Sequence, residues 1–318
     1  MVLFTSCRSL EEAANLRAVY DAYDGPKKFE MMNPRRDNLR HTLHYDVLVT
    51  DEIPKYSTAP VVMICHGASG GKHYGLDQPY PYVSRKDTEL ITYVLSTSEE
   101  TIPFVASWAG CEESRVLPLG MPRMDAYIGK KKGDGGTFLA DYKRAYLFCP
   151  TYRSREEGDL PEINWGFIDS QLADDEILLA KFHPCTLFTP DLGQYKHIMK
   201  IPASEPSAPY IMDCDVLITD FSTIMFDAHV LKKPVVLFEK DWENYKAQRG
   251  MSMAYPEMYS SHHCRREKDL VPLLRSVKRT EHDEEIRRFV CGSCDGHSTE
   301  RVIGLINWMV EEKQNQVY

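Results

Sequence analysis

At 318 residues, with 43% apolar and 27% charged residues, the chain can bury a core of its own and is long enough for two domains of about 150 residues each. Its 38 Lys and Arg against 47 Asp and Glu leave a net charge of −9, which excludes broad, sequence-blind nucleic-acid binding, because that needs a basic footprint. No apolar run approaches the ~20 residues that span a bilayer, and "MVLFTSCRSLEEAANLRAVY" lacks the basic start, apolar middle and cleavage site of a secretory signal. The nine cysteines are odd in number and scattered, as expected of free thiols in a reducing cytosol.

Taken in order, the segments alternate. "MVLFTS" reads as a strand, and "SLEEAANLRAVYDAY" carries apolar residues at helical spacing. "HYDVLVTDE", "APVVMICHG" and "ITYVLSTS" are short Val- and Ile-rich runs suited to buried parallel strands. "SEETIPFVASWAG" reads as a helix stopped at Gly110. "VLPLGMPRMDAY" follows, and then the Gly- and Lys-rich "IGKKKGDGGTF", which has no apolar periodicity and is the expected linker. A second series of strands comes next: "RAYLFCPTYR", "DEILLAKFHP", "CDVLITDFS" and "PVVLFEKD". An amphipathic helix, "STERVIGLINWMVEEKQ", closes the chain. Two alternating series predict an α/β protein of two Rossmann-like, doubly wound halves. The expected boundaries are an N-terminal Rossmann-like domain over residues 1–128, a linker over 129–143 and a C-terminal Rossmann-like domain over 144–318.

In such sheets ligands bind beyond the carboxyl ends of the strands, and the polar residues fall there: His66 and Gly67, Thr151 and Arg153, His183, then Asp220, Ser222 and Thr223. Ser222 and Thr223 open a helix, where a hydroxyl serves either as an N-cap or, with the free N–H groups, as an anion site. Arg153 reads as a phosphate fork or as half of a surface ion pair, and His183 as a phosphate donor or a turn histidine. His66, on the Gly-flanked loop "HGASGGKHYG", reads as a general base, for which imidazole has the titration range, or as a histidine bonded to backbone at a strand end. Ser298 and Thr299 open the terminal helix as caps or as further phosphate donors. Arg123 and Asp125 read as a structural pair or an acceptor-side contact. Asp227 reads as a residue that orders the loop.

"CHGASGGKHYGLD", "GMPRMD", "CPTYR", "KFHP", "DVLITDFSTIMFDAHVLKKPVVLF" and "DGHSTERV", in that order, resemble the CDP-glycerol glycerophosphotransferases of teichoic-acid and capsule synthesis. The resemblance implies a GT-B fold with the nucleotide held mainly by the C-terminal half. It also implies transfer of phosphoglycerol from CDP-glycerol to an acceptor hydroxyl with release of CMP, with His66 as base. The implied acceptor is a glycan or polyol phosphate, lipid-linked or not. No cofactor is implied, since CDP-glycerol is a substrate. The expected location is the cytoplasm, with peripheral attachment to the inner face of the membrane left open. The chain departs from the family pattern at Cys65, where Trp is usual, at Thr223 for the second of two serines, and at His297 for Lys. The rival readings are a GT-B nucleotide-sugar glycosyltransferase or epimerase, a CDP-ribitol transferase, and an inactive nucleotide- or glycan-binding homologue. No metal is expected: "CGSC" with His297 fits no common zinc spacing, and no dinucleotide or P-loop fingerprint is present.

Overall fold

The computed structural model describes residues 1–31, 39–54, 56–65, 67, 89–153, 160–186, 188–249 and 259–315. The chain forms two compact units, Met1–Ala126 with Arg288–Tyr318, and Tyr127–Arg287. Each is built on a six-stranded parallel sheet.

In the first unit the order is β2-β1-β3-β4-β5-β6. The strands are β1 (Val2–Ser6), β2 (Lys27–Met31), β3 (Val47–Thr50), β4 (Val61–Met63), β5 (Ile91–Leu95) and β6 (Val116–Leu117). β1 and β3 are buried along their whole length, as unbroken apolar runs require. One face of the sheet packs on α1 (Ala14–Ala22) and α9 (Ser298–Asn315): Phe4, Val47, Val49 and Val62 meet Leu16 and Val19 from α1 and Val302, Ile306 and Met309 from α9. The other face packs on α2 (Ile102–Ala109) through Val105 and Ala109. That helix stops at Gly110, in the left-handed conformation (φ 65°) that glycine adopts without penalty. The terminal helix therefore completes the first core, and the expected extension of the C-terminal domain over 288–318 is corrected. The reason is that the apolar stripe of α9 matches a face of the first sheet.

The second unit has the order β12-β11-β10-β7-β8-β9. The strands are β7 (Arg144–Phe148), β8 (Glu176–Ala180), β9 (Ile198–Lys200), β10 (Val216–Thr219), β11 (Val235–Phe238) and β12 (His262–Cys264). α3 (Trp165–Gln171) and α7 (Glu267–Ser276) cover one face, where Tyr146, Phe148, Trp165, Ile168, Phe182, Ile218, Phe238 and Leu274 form a single core. The unit also contains α4 (Ala208–Asp213), α5 (Ile224–Val230) and α6 (Trp242–Arg249), and α8 (Glu281–Cys291) carries the chain back to the first unit. The expected linker is docked rather than free. The Asp213 carboxylate accepts from the N–H groups of Gly133 (2.8 Å), Gly135 (3.0 Å) and Thr137 (2.8 Å) and from the Thr137 hydroxyl (2.8 Å). Lys132 reaches Asp215 at 2.7 Å.

Candidate functional site

The second sheet starts in its middle: β7 runs on to β8 and β9 on one side, and the chain returns to β10, β11 and β12 on the other. The strand order reverses between β7 and β10, which makes their carboxyl ends the natural binding crevice of an open parallel sheet. The two ends are stitched together by Asp220, whose Oδ1 accepts from the Thr151 N–H (2.7 Å) and the Phe221 N–H (2.6 Å).

Arg153 lies in the same knot and is 5% exposed. Its Nη2 donates to Asp220 Oδ2 (3.0 Å) and Asp241 Oδ2 (2.9 Å), and Nη1 donates to the Thr151 carbonyl (2.8 Å). The guanidinium stacks over Tyr245 (4.6 Å) and Phe221 (5.5 Å). Burial disfavours its charge, but Asp220 and Asp241 outweigh that and raise its pKa. Of the two readings from sequence the structure shows the ion pair, buried rather than on the surface, with the fork on two carboxylates. These bonds tie together the loops after β7, β10 and β11.

The groups that remain face chemistry more openly. His183 is exposed and stacks on Tyr152 (4.7 Å between centroids); its Nδ1 accepts from the Cys185 N–H (3.1 Å), which leaves Nε2 as the protonated, donating nitrogen. Ser222 and Thr223 are half-buried. The N-cap position belongs to Thr223, not Ser222, and the Thr223 side chain makes no cap bond. Ser222 Oγ makes only a long contact, 3.5 Å, with the Ile224 N–H. Thr151 is 2% exposed, and its Oγ1 has no partner among the described residues. Asp227 is buried on α5, within electrostatic reach of Cys149. Beside Asp220 opens an apolar cavity of about 240 Å³, walled by Phe148, Trp165, Phe182, Phe188 and Phe238 and edged by Lys240.

The other half of the motif set assembles in the first unit. Asp125 accepts from the N–H groups of Ser298 (3.2 Å) and Thr299 (2.6 Å), capping α9 from a distant loop. In return Ser298 Oγ accepts from the Met121 N–H (3.0 Å). Gly120 sits at φ 93°, where an added Cβ would collide with Ser298 Oγ and the Ser293 carbonyl. This corrects two expectations. Ser298 and Thr299 belong to the first unit, where they take part in a clasp, and not to the C-terminal domain expected to hold them. Asp125 pairs with backbone, not with Arg123.

Asn15, which the sequence reading missed, joins this clasp to the loop that leads to His66. Its Nδ2 donates to the Cys65 carbonyl (2.8 Å), and its Oδ1 accepts from the Arg123 N–H (3.0 Å). Burial pushes the Cys65 thiol up to about 12, so it is a packing group. His66 itself lies outside the described residues, and Gly67 is half-buried at their margin.

The profile of the family described as CDP-Glycerol:Poly(glycerophosphate) glycerophosphotransferase matches residues 40–307. The chain is 23% identical over 231 residues to the teichoic acid glycerol-phosphate primase of Bacillus subtilis (strain 168), covering 68% of this chain and 60% of that protein. It is 23% identical over 309 residues to the teichoic acid ribitol-phosphate primase of Bacillus spizizenii, covering 85% and 77%. Among solved structures, the wall teichoic acid polymerase TagF soaked with CDPG superposes with a TM-score of 0.79 at 18% identity, over 99% of this chain and 90% of that one. The MnaA-UDP structure from S. aureus follows at 0.61 and 14%, over 98% and 97%. These likenesses place the two parallel sheets in the GT-B type of fold, and the extent of the profile match settles the lineage: the chain belongs to the CDP-glycerol:poly(glycerophosphate) glycerophosphotransferase family.

Proposed function

We propose that the protein transfers phosphoglycerol from CDP-glycerol to an acceptor hydroxyl, with release of CMP, in the synthesis of a teichoic-acid-like or capsular polymer. The observation that carries this reading is the set at the switch point of the second unit. Ser222 and Thr223 follow β10 with hydroxyls that make no strong cap bond, Thr151 follows β7 with a buried hydroxyl, and His183 follows β8 with a donating Nε2. Hydroxyl and imidazole donors at adjoining strand ends suit the oxygens of a diphosphate.

In the proposed step the acceptor oxygen attacks the phosphorus that carries glycerol. The new P–O bond forms as the bond to the bridging oxygen breaks, and CMP departs with that electron pair. His66 takes the acceptor proton, a role that suits an imidazole with an ordinary pKa of about 6.5. The reaction uses no cofactor. The proposed acceptor is a glycan or polyol phosphate, lipid-linked at the inner face of the membrane. Among the described residues no helix is long and apolar enough to cross a membrane, so any attachment through them would be peripheral.

The ribitol-phosphate primase among the relatives favours a second reading, with CDP-ribitol as donor. Nucleotide release measured side by side, as CMP from CDP-glycerol and CDP-ribitol and as UDP or UMP from UDP-N-acetylglucosamine, tests both. CMP is expected from CDP-glycerol, and turnover of the UDP-sugar alone would refute both readings. His66→Ala is expected to keep donor affinity and lose transfer; lost affinity would remove His66 from the role of base.

A further inference from the structure

With Arg153 bonded to two carboxylates, a donor that carries negative charge calls for another cation near the hydroxyls of the second unit. Two cations are buried among the described residues, Arg153 and Lys181. Lys181 follows β8 immediately, is 7% exposed, and its N–H donates to the Phe148 carbonyl at the end of β7 (2.8 Å). Its ammonium makes one hydrogen bond, to the Ala203 carbonyl beyond β9 (2.9 Å), and no carboxylate among the described residues lies within 4 Å of it. Glu205 influences it only at longer range, and the Glu205 carboxylate is held by the Tyr210 hydroxyl. An ammonium has three donors, and a buried charge without a counter-ion is costly. Burial accordingly pushes the Lys181 pKa down. Two buried hydroxyls have no partner among the described residues: Thr151 Oγ1, on the segment after the neighbouring strand β7, and Thr186 Oγ1, further along the segment that Lys181 opens.

We infer that Lys181, together with the Thr151 hydroxyl, makes the charged contact to the diphosphate of the donor, in the place where the sequence reading put Arg153. The inference rests on the donor reading above and deepens it. The Ala203 bond gives Lys181 a second task, since it ties the loop after β9 to the end of β8 and fixes the direction in which the other two N–H groups point. An anion there satisfies the ammonium, and the ammonium offsets charge on the leaving CMP.

Titration calorimetry of the full chain with CDP-glycerol, CDP and cytidine tests the assignment. Lys181→Met keeps the length of the side chain and needs no counter-charge, so the variant is expected to fold, as circular dichroism and the unfolding midpoint would report. It is expected to bind CDP and CDP-glycerol about ten- to a hundredfold more weakly while cytidine affinity stays within about twofold, and Lys181→Arg is expected to recover part of the loss. Unchanged CDP affinity in Lys181→Met, or equal losses for CDP and cytidine, would overturn the assignment. If the wild-type chain prefers UDP to CDP, the cytidine reading fails alone, and the same contrast between UDP and uridine decides Lys181. If it binds no nucleoside diphosphate, both fail.

Discussion

The Arg153 guanidinium and the Asp220 carboxylate, 3.0 Å apart and both nearly closed to solvent, form a brace at the point where the second sheet reverses its strand order. Asp241 completes it at 2.9 Å. Removing the cation would leave the buried Asp220 carboxylate uncompensated, with the partly exposed Asp241 carboxylate beside the gap. Arg153→Ala is expected to cost about 3–5 kcal/mol of stability, the usual penalty for breaking a buried pair from one side. Urea unfolding measures this. A stable Arg153→Ala variant that loses only donor affinity would instead make Arg153 a ligand.

The clasp between the "GMPRMD" loop and the start of α9 makes a graded set of predictions. Ser298→Ala removes one acceptor, and Asp125→Ala removes the partner of two N–H groups; each is expected to cost about 1 kcal/mol. Gly120→Ala combines a left-handed backbone with a collision against Ser298 and Ser293 and is expected to be the most harmful of the three. Thermal midpoints of the three variants check the order, and a Gly120→Ala protein as stable as Ser298→Ala would contradict it.

The eight strands legible in the sequence are the eight interior ones, and the four that escaped are the sheet edges β2, β6, β9 and β12. Interior strands read as continuous apolar runs because both faces are covered. β2 reads "KKFEM" with Met31 exposed, β9 has Met199 and Lys200 exposed, and β6 is two residues long. The site was legible to the same depth. Strand ends and hydroxyls are local features, so Thr151, His183, Asp220, Ser222 and Thr223 could be read in place. The partners of Arg153 and Ser298 are remote: Asp241 lies 88 residues from Arg153 and Asp125 173 residues from Ser298. Pattern within a segment carries no sign of such pairing. Lys181 reads as an ordinary solvated lysine beside "FHP" until the chain beyond β9 folds over it.

Acid should unlock the second unit at identifiable carboxylates. Arg275 donates two hydrogen bonds to Glu176, at 3.0 Å from Nε and 2.5 Å from Nη2, and holds its pKa at about 2 against an ordinary 4.5, although burial opposes this. Burial likewise works against Asp213, but the hydrogen bonds from Thr137, Gly133 and Gly135 hold it below the usual range. Both carboxylates ionise more readily folded than unfolded, so their contribution is complete above the unfolded value and lost as pH falls. For Glu176 the loss runs from pH 4.5 towards about 2. Glu176→Gln is expected to be less stable at neutral pH and to flatten the stability profile across that window. Denaturant midpoints from neutral pH down to pH 3 test this, and an unchanged slope would refute it.

Asn15 offers the sharpest separation of positioning from binding. It holds the carbonyl of Cys65, the residue before His66, and through its other amide atom the N–H of Arg123. It is 5% exposed, so neither bond is readily replaced by water. Asn15→Ala removes both bonds and leaves the Cys65 carbonyl and the Arg123 N–H unmatched, at a cost of about 1–3 kcal/mol. Thr151, Lys181, His183, Ser222 and Thr223, the donor contacts of the proposed function, lie in the other unit, so the expected signature is a fall in the rate of CMP release while CDP affinity stays at its wild-type value. Asn15→Asp retains the acceptor for Arg123 and loses the donor to Cys65, so it isolates the bond on the His66 side. If that side sets the rate, Asn15→Asp, whose carboxylate has no proton to give the Cys65 carbonyl, should be at least as slow as Asn15→Ala. Full transfer activity in Asn15→Asp would show that the Cys65 bond does not position the base.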